Sequence, residues 1–336
     1  MTIVAEEWEG DHSSGCEKAL VGRAGLTRAG RHRHFQSRAE AVVAKGSFDL
    51  VQSHERILGA DLFRVGDGVH AAWFDRLRKE RSSWRAHWMA FDPMHRMVLE
   101  TERRMARSDT IFVANSQMIA REIAEWLHVP ARRIRVIENG VDLDKFRPAT
   151  AVEKKAARER LSIPLDVPLV TYVGSGFARK GVWQLVEALA LPEARNIHAL
   201  IVGRDSRANQ LVSRIHQLGL ANRIVVTGGL QDVRPALAAA DFFALPSLYE
   251  PMPNAALEAI ASGLPVVTTH DTGIAEAIVG AGAGCASTRE PASIASAFNT
   301  VLANQESMRA AVLQLRHRYD LGAATDRWLD LYGTLR

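Results

Sequence analysis

Arg179 and Lys180 stand side by side behind two glycines in the stretch YVGSGFARKG, residues 172–181. Gly174 and Gly176 let the backbone approach a ligand closely, and the two fixed positive charges that follow suit a multiply charged anion such as a diphosphate. A second stretch, SLYEPMPNAALEAIASGLPVV, residues 247–267, places Glu250 in a proline-bearing turn and Glu258 about one turn into the helix that follows. Pro253 and Asn254 read as the start of that helix with Asn254 as its cap, so free N–H groups at Asn254 and Ala255 would face the same sheet edge as the basic pair. A carboxylate at Glu258 can accept two hydrogen bonds from a vicinal diol such as a ribose. Glu250, held by Pro251, would reach further out, towards whatever the diphosphate carries. Singly, each feature has a plainer explanation: surface decoration for the basic pair, a dipole-favoured helix charge for Glu258, a solvated loop acid for Glu250. Together they favour a binding site.

A site of this kind needs a sheet edge to present it. From about Pro168 onward, short β-branched or aromatic runs (LVTYVG, HALIVG, RIVVTG, DFFALP, LPVVTT) alternate with amphipathic segments such as GVWQLVEALA and ANQLVSRIHQLG. Alternation of this kind predicts an α/β fold with a parallel, doubly wound sheet whose ligand loops follow the strand ends. The first half reads similarly, with strands at DLVQS, TIFVANS and RIRVIENG and helices at HFQSRAEAVVAKG and QMIAREIAEWLH. The charged, proline-bearing run from Asp142 to Pro168 reads as a domain linker with a short helix inside it. Three segments are therefore expected: residues 1–148 as the first Rossmann-like domain, 149–320 as the donor-side domain, and 321–336 as an amphipathic helix able to pack back on the first. Trp328, Leu329 and Tyr332 form its apolar side. A doubly wound unit usually opens on a strand and a glycine-rich turn, whereas this chain opens on TIVA and an acidic, tryptophan-bearing loop. The expected first strand, turn and helix are missing from the reading, which makes the first domain truncated at its N-terminus.

A length of 336 residues accommodates two domains with cores of their own, and 47% hydrophobic composition excludes a disordered chain. No apolar run approaches the ~20 residues of a membrane span, and the first residues are too acidic for a signal peptide. Two cysteines, Cys16 and Cys285, make neither a disulfide framework nor a metal-ligand spacing, in keeping with a reducing cytoplasm. A net charge of +4 is too mild to name a partner.

Three further features could carry function. His54 follows the strand DLVQS, and Asp67 sits between glycines in VGDGVH, where a turn can face a ligand. The acids of DLD, Asp142 to Asp144, stand apart from any other acid cluster and read as a turn. From Trp73 to Arg107 arginines alternate with aromatics; Trp73, Arg78, Lys79, Arg81, Trp84, Arg85 and Trp88 suit an anionic membrane surface or a phosphorylated glycolipid. The plain alternative is a helical pair with its aromatic side packed inward. No nucleic-acid motif accompanies the stretch.

The segments YVGSGFARKG, VGRDSRANQL, DVRPALAAADFFALPS and YEPMPNAALEAIASGLPVVTT resemble glycosyltransferase family 4, retaining enzymes of the GT-B fold. They look most like its lipopolysaccharide core glucosyltransferases. The likeness extends over DLVQSHERILGADLFRVGDGVHAAW in the first half and IENGVDLDKF at the junction. It implies two Rossmann-like domains facing across a cleft, with a UDP-sugar bound mainly by the second. On this resemblance Glu258 matches the glutamate on the ribose hydroxyls and Glu250 the one that meets the transferred sugar. Arg179 and Lys180 match the pair that neutralises the leaving diphosphate, with the amides at Gly174, Gly176, Asn254 and Ala255 nearby. Asp67 aligns with an acid near the donor sugar; His54, chosen from its strand end alone, reads equally as a donor or acceptor contact and as a structural histidine. The implied reaction moves a hexose, glucose in the nearest group, to a lipopolysaccharide-core or related glycolipid without metal or cofactor. The implied place is the inner face of the cytoplasmic membrane. The missing glycine-rich turn is the departure from the family pattern and predicts a mis-assigned start. A non-catalytic nucleotide-sugar-binding remnant and a UDP-sugar epimerase on the same fold remain the alternatives. A dehydrogenase is disfavoured, because no G-x-G-x-x-G follows any strand.

Overall fold

The computed structural model describes residues 1–9, 15–80 and 92–335. They form two compact units, Met1–Ile137 with Trp328–Arg336, and Glu138–Arg327. In the first, β1 (Thr2–Ala5) pairs in parallel with β2 (Glu17–Leu20), while β3 (Gln52–Ser53), β4 (Leu62–Val65), β5 (Ile111–Ala114) and β6 (Ile134–Val136) make a four-stranded parallel sheet in that order. TIVA is thus itself a strand, and LFRV at β4 is a strand the sequence reading passes over.

The second unit holds β7 (Leu169–Val173), β8 (His198–Val202), β9 (Ile224–Gly228), β10 (Phe242–Leu245), β11 (Val266–Thr269) and β12 (Gly284–Ser287). Their order across the sheet is β12-β11-β10-β7-β8-β9, every pair parallel. Helices cover both faces, so the inner strands are buried on both sides, which is why they read as continuous rather than alternating apolar runs. β12, GCAS, lies at the sheet edge and carries almost no β-branched side chain, which hid it in the sequence. The chain winds outward from β7 to β8 and β9, then returns to lay β10 on the other side of β7. The order therefore reverses between β7 and β10, the place where an open α/β sheet parts its loops to receive a ligand.

The run expected to be a linker is part of the second unit. Val141 bridges Asp320, Phe146 is 8% exposed in the main core, and helix Ala151–Arg160 packs against helix Arg234–Ala239. Arg158 supplies the reason: its guanidinium donates to the carbonyls of Ala239, Pro164, Leu165 and Val167 and to Asp241. Asp241 also accepts from Lys154 at 2.5 Å and from the Leu169 amide at 2.7 Å. A charged segment looked like a tether because its charges have partners far away in the sequence. The acids of DLD do form a turn, in which Asp142 Oδ1 accepts the amides of Asp144 and Lys145.

Helix Leu321–Gly333 starts in the second unit, and its residues from Trp328 on count with the first. Leu331, not Leu329, is its core residue: Leu331 packs with Leu62, Val113 and Ile137, Tyr332 donates to Gln52 at 2.7 Å, and Leu329 is 60% exposed.

Candidate functional site

The loop after β7 turns at Gly174 and Gly176 and becomes a single helical turn, Phe177–Lys180, which carries Arg179 and Lys180. Gly181 ends that turn at φ 76°, and a Cβ there would lie 1.9 Å from the Pro246 carbonyl oxygen. The loop after β10 therefore runs directly against the basic turn, fixed by the Leu248 amide on the Arg179 carbonyl at 2.8 Å. Lys180 lies over Gly174, where a Cβ would meet its Cδ at 2.7 Å.

This contact brings the acid and the bases together. The Arg179 guanidinium donates to Glu250 Oε2 at 2.5 Å and to the Tyr249 carbonyl at 3.1 Å, and Lys180 Nζ lies 3.5 Å from the same carboxylate oxygen. Glu250 was expected to reach further out; instead its side chain, 14% exposed, rests on the pair. Two cations against one anion leave the cluster positive and account for the inward turn. The Glu250 backbone is pinned as well, its amide donating to Asp271 and its carbonyl accepting from Gly273.

The next helix, Asn254–Ala261, starts behind an extended Pro253 and has no side-chain cap. Asn254 is not the cap the sequence suggested, because its carboxamide oxygen accepts from Asn139 at 2.9 Å. The first-turn N–H groups at Asn254 and Ala255 are thus left without a side-chain acceptor, as an anion site requires. Glu258 lies one turn in and half-buried. Burial pushes its pKa up, and the charges of Lys145 and Lys180 pull it back without cancelling the shift. Lys145 is a neighbour that sequence reasoning missed, as are the Asn139 amide and Asp205, which joins the Phe177 amide. All three stand at strand ends or at the junction inside segments that carry the family likeness, and that position was the available signal.

In the first unit, His54 and Asp67 follow β3 and β4 and are exposed. Partial desolvation of the ring and then the Arg64 guanidinium push the His54 pKa down, and the ring meets Gln52 at 3.1 Å. Glu55 beside them is pushed up, first by partial desolvation and then by Asp67.

Trp73 is corrected from a surface anchor to a packed ring. It lies half-buried in helix His70–Glu80, its centroid 5.3 Å from His70 and 5.6 Å from His95. Arg78 and Lys79 are exposed, Lys79 paired with Asp75 at 2.7 Å. Arg81, Trp84, Arg85 and Trp88 lie outside the described residues. His70 Nε2 and His95 Nδ1 share a hydrogen bond at 3.0 Å. Burial above all, then Arg56, His95 and Arg28, push the His70 pKa down to about 4. A folded-state pKa below the unfolded one means that protons favour the unfolded chain. The stability His70 contributes is therefore present above the ordinary value of 6.5 and lost as the pH falls from there towards about 4. The melting temperature should drop between about pH 7 and pH 5, before the ordinary carboxylates titrate, and His70→Asn should flatten that slope. An equal slope in the variant would place the pH dependence elsewhere.

Residues 153–318 match the family model described as glycosyl transferases group 1, and residues 1–145 match that of glycosyltransferase family 4. A D-inositol 3-phosphate glycosyltransferase of Xylanimonas cellulosilytica is 32% identical over 250 residues, 70% of this chain and 59% of the relative. The lipopolysaccharide glucosyltransferase WaaG of Escherichia coli is 26% identical over 292 residues, 84% of this chain and 75% of the relative. The crystal structure of a WaaG involved in lipopolysaccharide biosynthesis superposes with a TM-score of 0.82 at 23% identity, covering 98% of this chain and 90% of that one. The Anabaena HepE structure in complex with UDP-glucose does so with a TM-score of 0.72 at 19% identity, covering 95% and 86%. The chain spans 59% of the length of the first of these relatives.

Proposed function

We propose that this chain, a glycosyltransferase of the GT-B fold that resembles lipopolysaccharide core glucosyltransferases, moves a hexose, glucose, from a UDP-sugar bound by the second unit to a glycolipid of the lipopolysaccharide-core kind. The observation that carries the reading is the convergence of Arg179, Lys180 and Glu250 at the sheet's switch point, beside an uncapped helix start and Glu258.

The chemistry follows from these groups. A donor diphosphate outcompetes one carboxylate for two cations, so it takes Arg179 and Lys180 over from Glu250, with the N–H groups at Asn254 and Ala255 adding donors. Glu250, released, turns to the sugar, and Glu258 accepts the ribose hydroxyls. As the glycosidic bond breaks, negative charge grows on the departing phosphate; the fixed cations stabilise it where a metal ion acts in other transferases, and that phosphate oxygen takes the acceptor proton. The sugar keeps its configuration because the acceptor enters on the face the phosphate leaves.

Calorimetric titration with UDP tests the nucleotide half. Glu258→Ala should weaken binding about 10-fold or more, since a hydrogen-bonded charged group contributes roughly 1.5–3 kcal/mol. Because burial raises the Glu258 pKa and the ionised form is the acceptor, affinity should also decline on acidification sooner than an ordinary glutamate would cause. Equal affinity of parent and variant would put the nucleotide elsewhere.

The acceptor reading rests on the relatives' names and on the basic stretch around Arg78. It places the protein peripherally on the anionic inner face of the cytoplasmic membrane. Exchanging Arg78, Lys79, Arg81 and Arg85 for serine should sharply reduce co-sedimentation with anionic vesicles, at about 1 kcal/mol per basic residue, and leave UDP affinity intact. Vesicle binding at parental strength would favour a small phosphorylated polyol acceptor, the kind named for the Xylanimonas relative.

A further inference from the structure

The turn that carries Arg179 and Lys180 holds itself only by the amides of Lys180 and Gly181 on the carbonyls of Gly176 and Phe177. It is four residues long, lies between Gly176 at φ 78° and Gly181 at φ 76°, and takes no side-chain cap from its own flank. A lone turn of helix is unfavourable by itself, since several backbone angles are fixed for a single hydrogen bond.

The missing acceptor comes from the loop after β8. Asp205 Oδ2 accepts the Phe177 amide at 2.8 Å, and Oδ1 accepts the Arg207 amide at 2.8 Å, with the Arg207 guanidinium 3.6 Å away. The two loops are pressed together: a Cβ on Gly203 would lie 2.0 Å from the Gly174 carbonyl oxygen, and the Arg204 amide donates to Ser175 Oγ at 3.3 Å. The Asp205 side chain is 9% exposed. Burial pushes its pKa up, but the amides of Arg207 and Phe177 and the Arg207 charge outweigh that and leave it below the usual carboxylate range. A carboxylate on the turn that carries a pair of phosphate-binding cations disfavours an anion by simple repulsion, so its place there calls for a compensating task.

We propose that Asp205 is a positioning residue for the diphosphate site: its carboxylate caps the turn Phe177–Lys180 and thereby holds Arg179 and Lys180 in the one arrangement that meets both phosphates. This rests on the UDP-sugar reading. Asp205 touches no substrate and acts through the backbone of the turn. With the cap removed, the turn frays and the two cations lose the preorganisation on which charge stabilisation depends. The cap also ties the β8 loop to the β7 loop, so the two move as one edge.

Competition titration with UDP and with uridine, which lacks phosphates, tests the assignment on the full chain. Asp205→Ala should weaken UDP binding about 10-fold, the scale of a lost helix cap, and change uridine binding less than about 2-fold. Asp205→Asn keeps an oxygen for the Phe177 amide and should restore UDP affinity to within about 3-fold. In the Arg179→Ala/Lys180→Ala background, Asp205→Ala should cause no further loss, because the groups it positions are gone. Should Asp205→Ala fail to fold, Asp205→Ser, a shorter acceptor, carries the same expectation with a smaller loss confined to UDP. Equal weakening of UDP and uridine, or a full extra loss in the double-alanine background, would make Asp205 a general structural residue and overturn the proposal. Parental affinity in Asp205→Ala would overturn it too. A parent chain that binds neither ligand overturns the UDP-sugar reading and this assignment with it.

Discussion

Replacing Arg158 with alanine should lower the unfolding free energy by about 3–5 kcal/mol, the range for removing one partner from a buried, hydrogen-bonded ion pair. Arg158 is 3% exposed and donates to four carbonyls and to Asp241 Oδ2 at 2.8 Å. Its loss strands those carbonyls and leaves Asp241 with Lys154 as its only cation among the described residues. Arg158→Lys should recover little, because one ammonium cannot reach carbonyls that a planar, forked guanidinium satisfies together. Urea denaturation measures the change, and a loss under about 1 kcal/mol would mean that the segment is a tether after all. The site depends on this anchor. Asp241 accepts the Leu169 amide and its own amide donates to the Leu169 carbonyl, so the cluster joins the starts of β7 and β10, the two strands whose far ends carry the basic turn and Glu250.

Arg179→Ala and Lys180→Ala should each lower kcat by about 10²–10³, the effect of removing one preorganised group that stabilises charge in the transition state. Their separation from Glu250, 2.5 Å and 3.5 Å, shows that both already converge on one carboxylate oxygen. A leaving phosphate gains negative charge as the bond breaks, so interactions with it strengthen towards the transition state, and the loss must show in kcat. A rise in KM alone would make them ordinary binding residues. EDTA should leave the parental rate unchanged if these cations do the work of a metal, and strict dependence on Mg²⁺ or Mn²⁺ would contradict that mechanism.

Much of the second unit was legible from its residues. β7, β8, β10 and β11 are buried on both faces, which demands the continuous β-branched and aromatic runs that sequence reading detects most readily. β12 escaped because GCAS has almost no such side chains, and β4 because Arg64 interrupts so short a run. The junction was misplaced for an electrostatic reason. A run of Lys, Arg and Glu between Asp142 and Pro168 looks solvated until Arg158 and Lys154 are seen to meet Asp241, far along the chain. At the site, residue types and strand ends were enough to choose Arg179, Lys180, Glu250 and Glu258. Spacing could not show that Glu250 folds back on the pair, that Asn254 bonds Asn139 instead of capping its helix, or that Asp205 supplies a cap from another loop. Each of those contacts joins residues that only the tertiary fold brings together.

Crystallising the protein with UDP decides whether the nucleotide sits at the ends of β7 and β10. Diphosphate oxygens are expected within about 3 Å of the Arg179 guanidinium and the Lys180 ammonium, ribose hydroxyls on the Glu258 carboxylate, and Glu250 displaced from the pair. UDP bound away from the ends of β7 and β10, or a Glu250–Arg179 contact intact with the nucleotide in place, would contradict it.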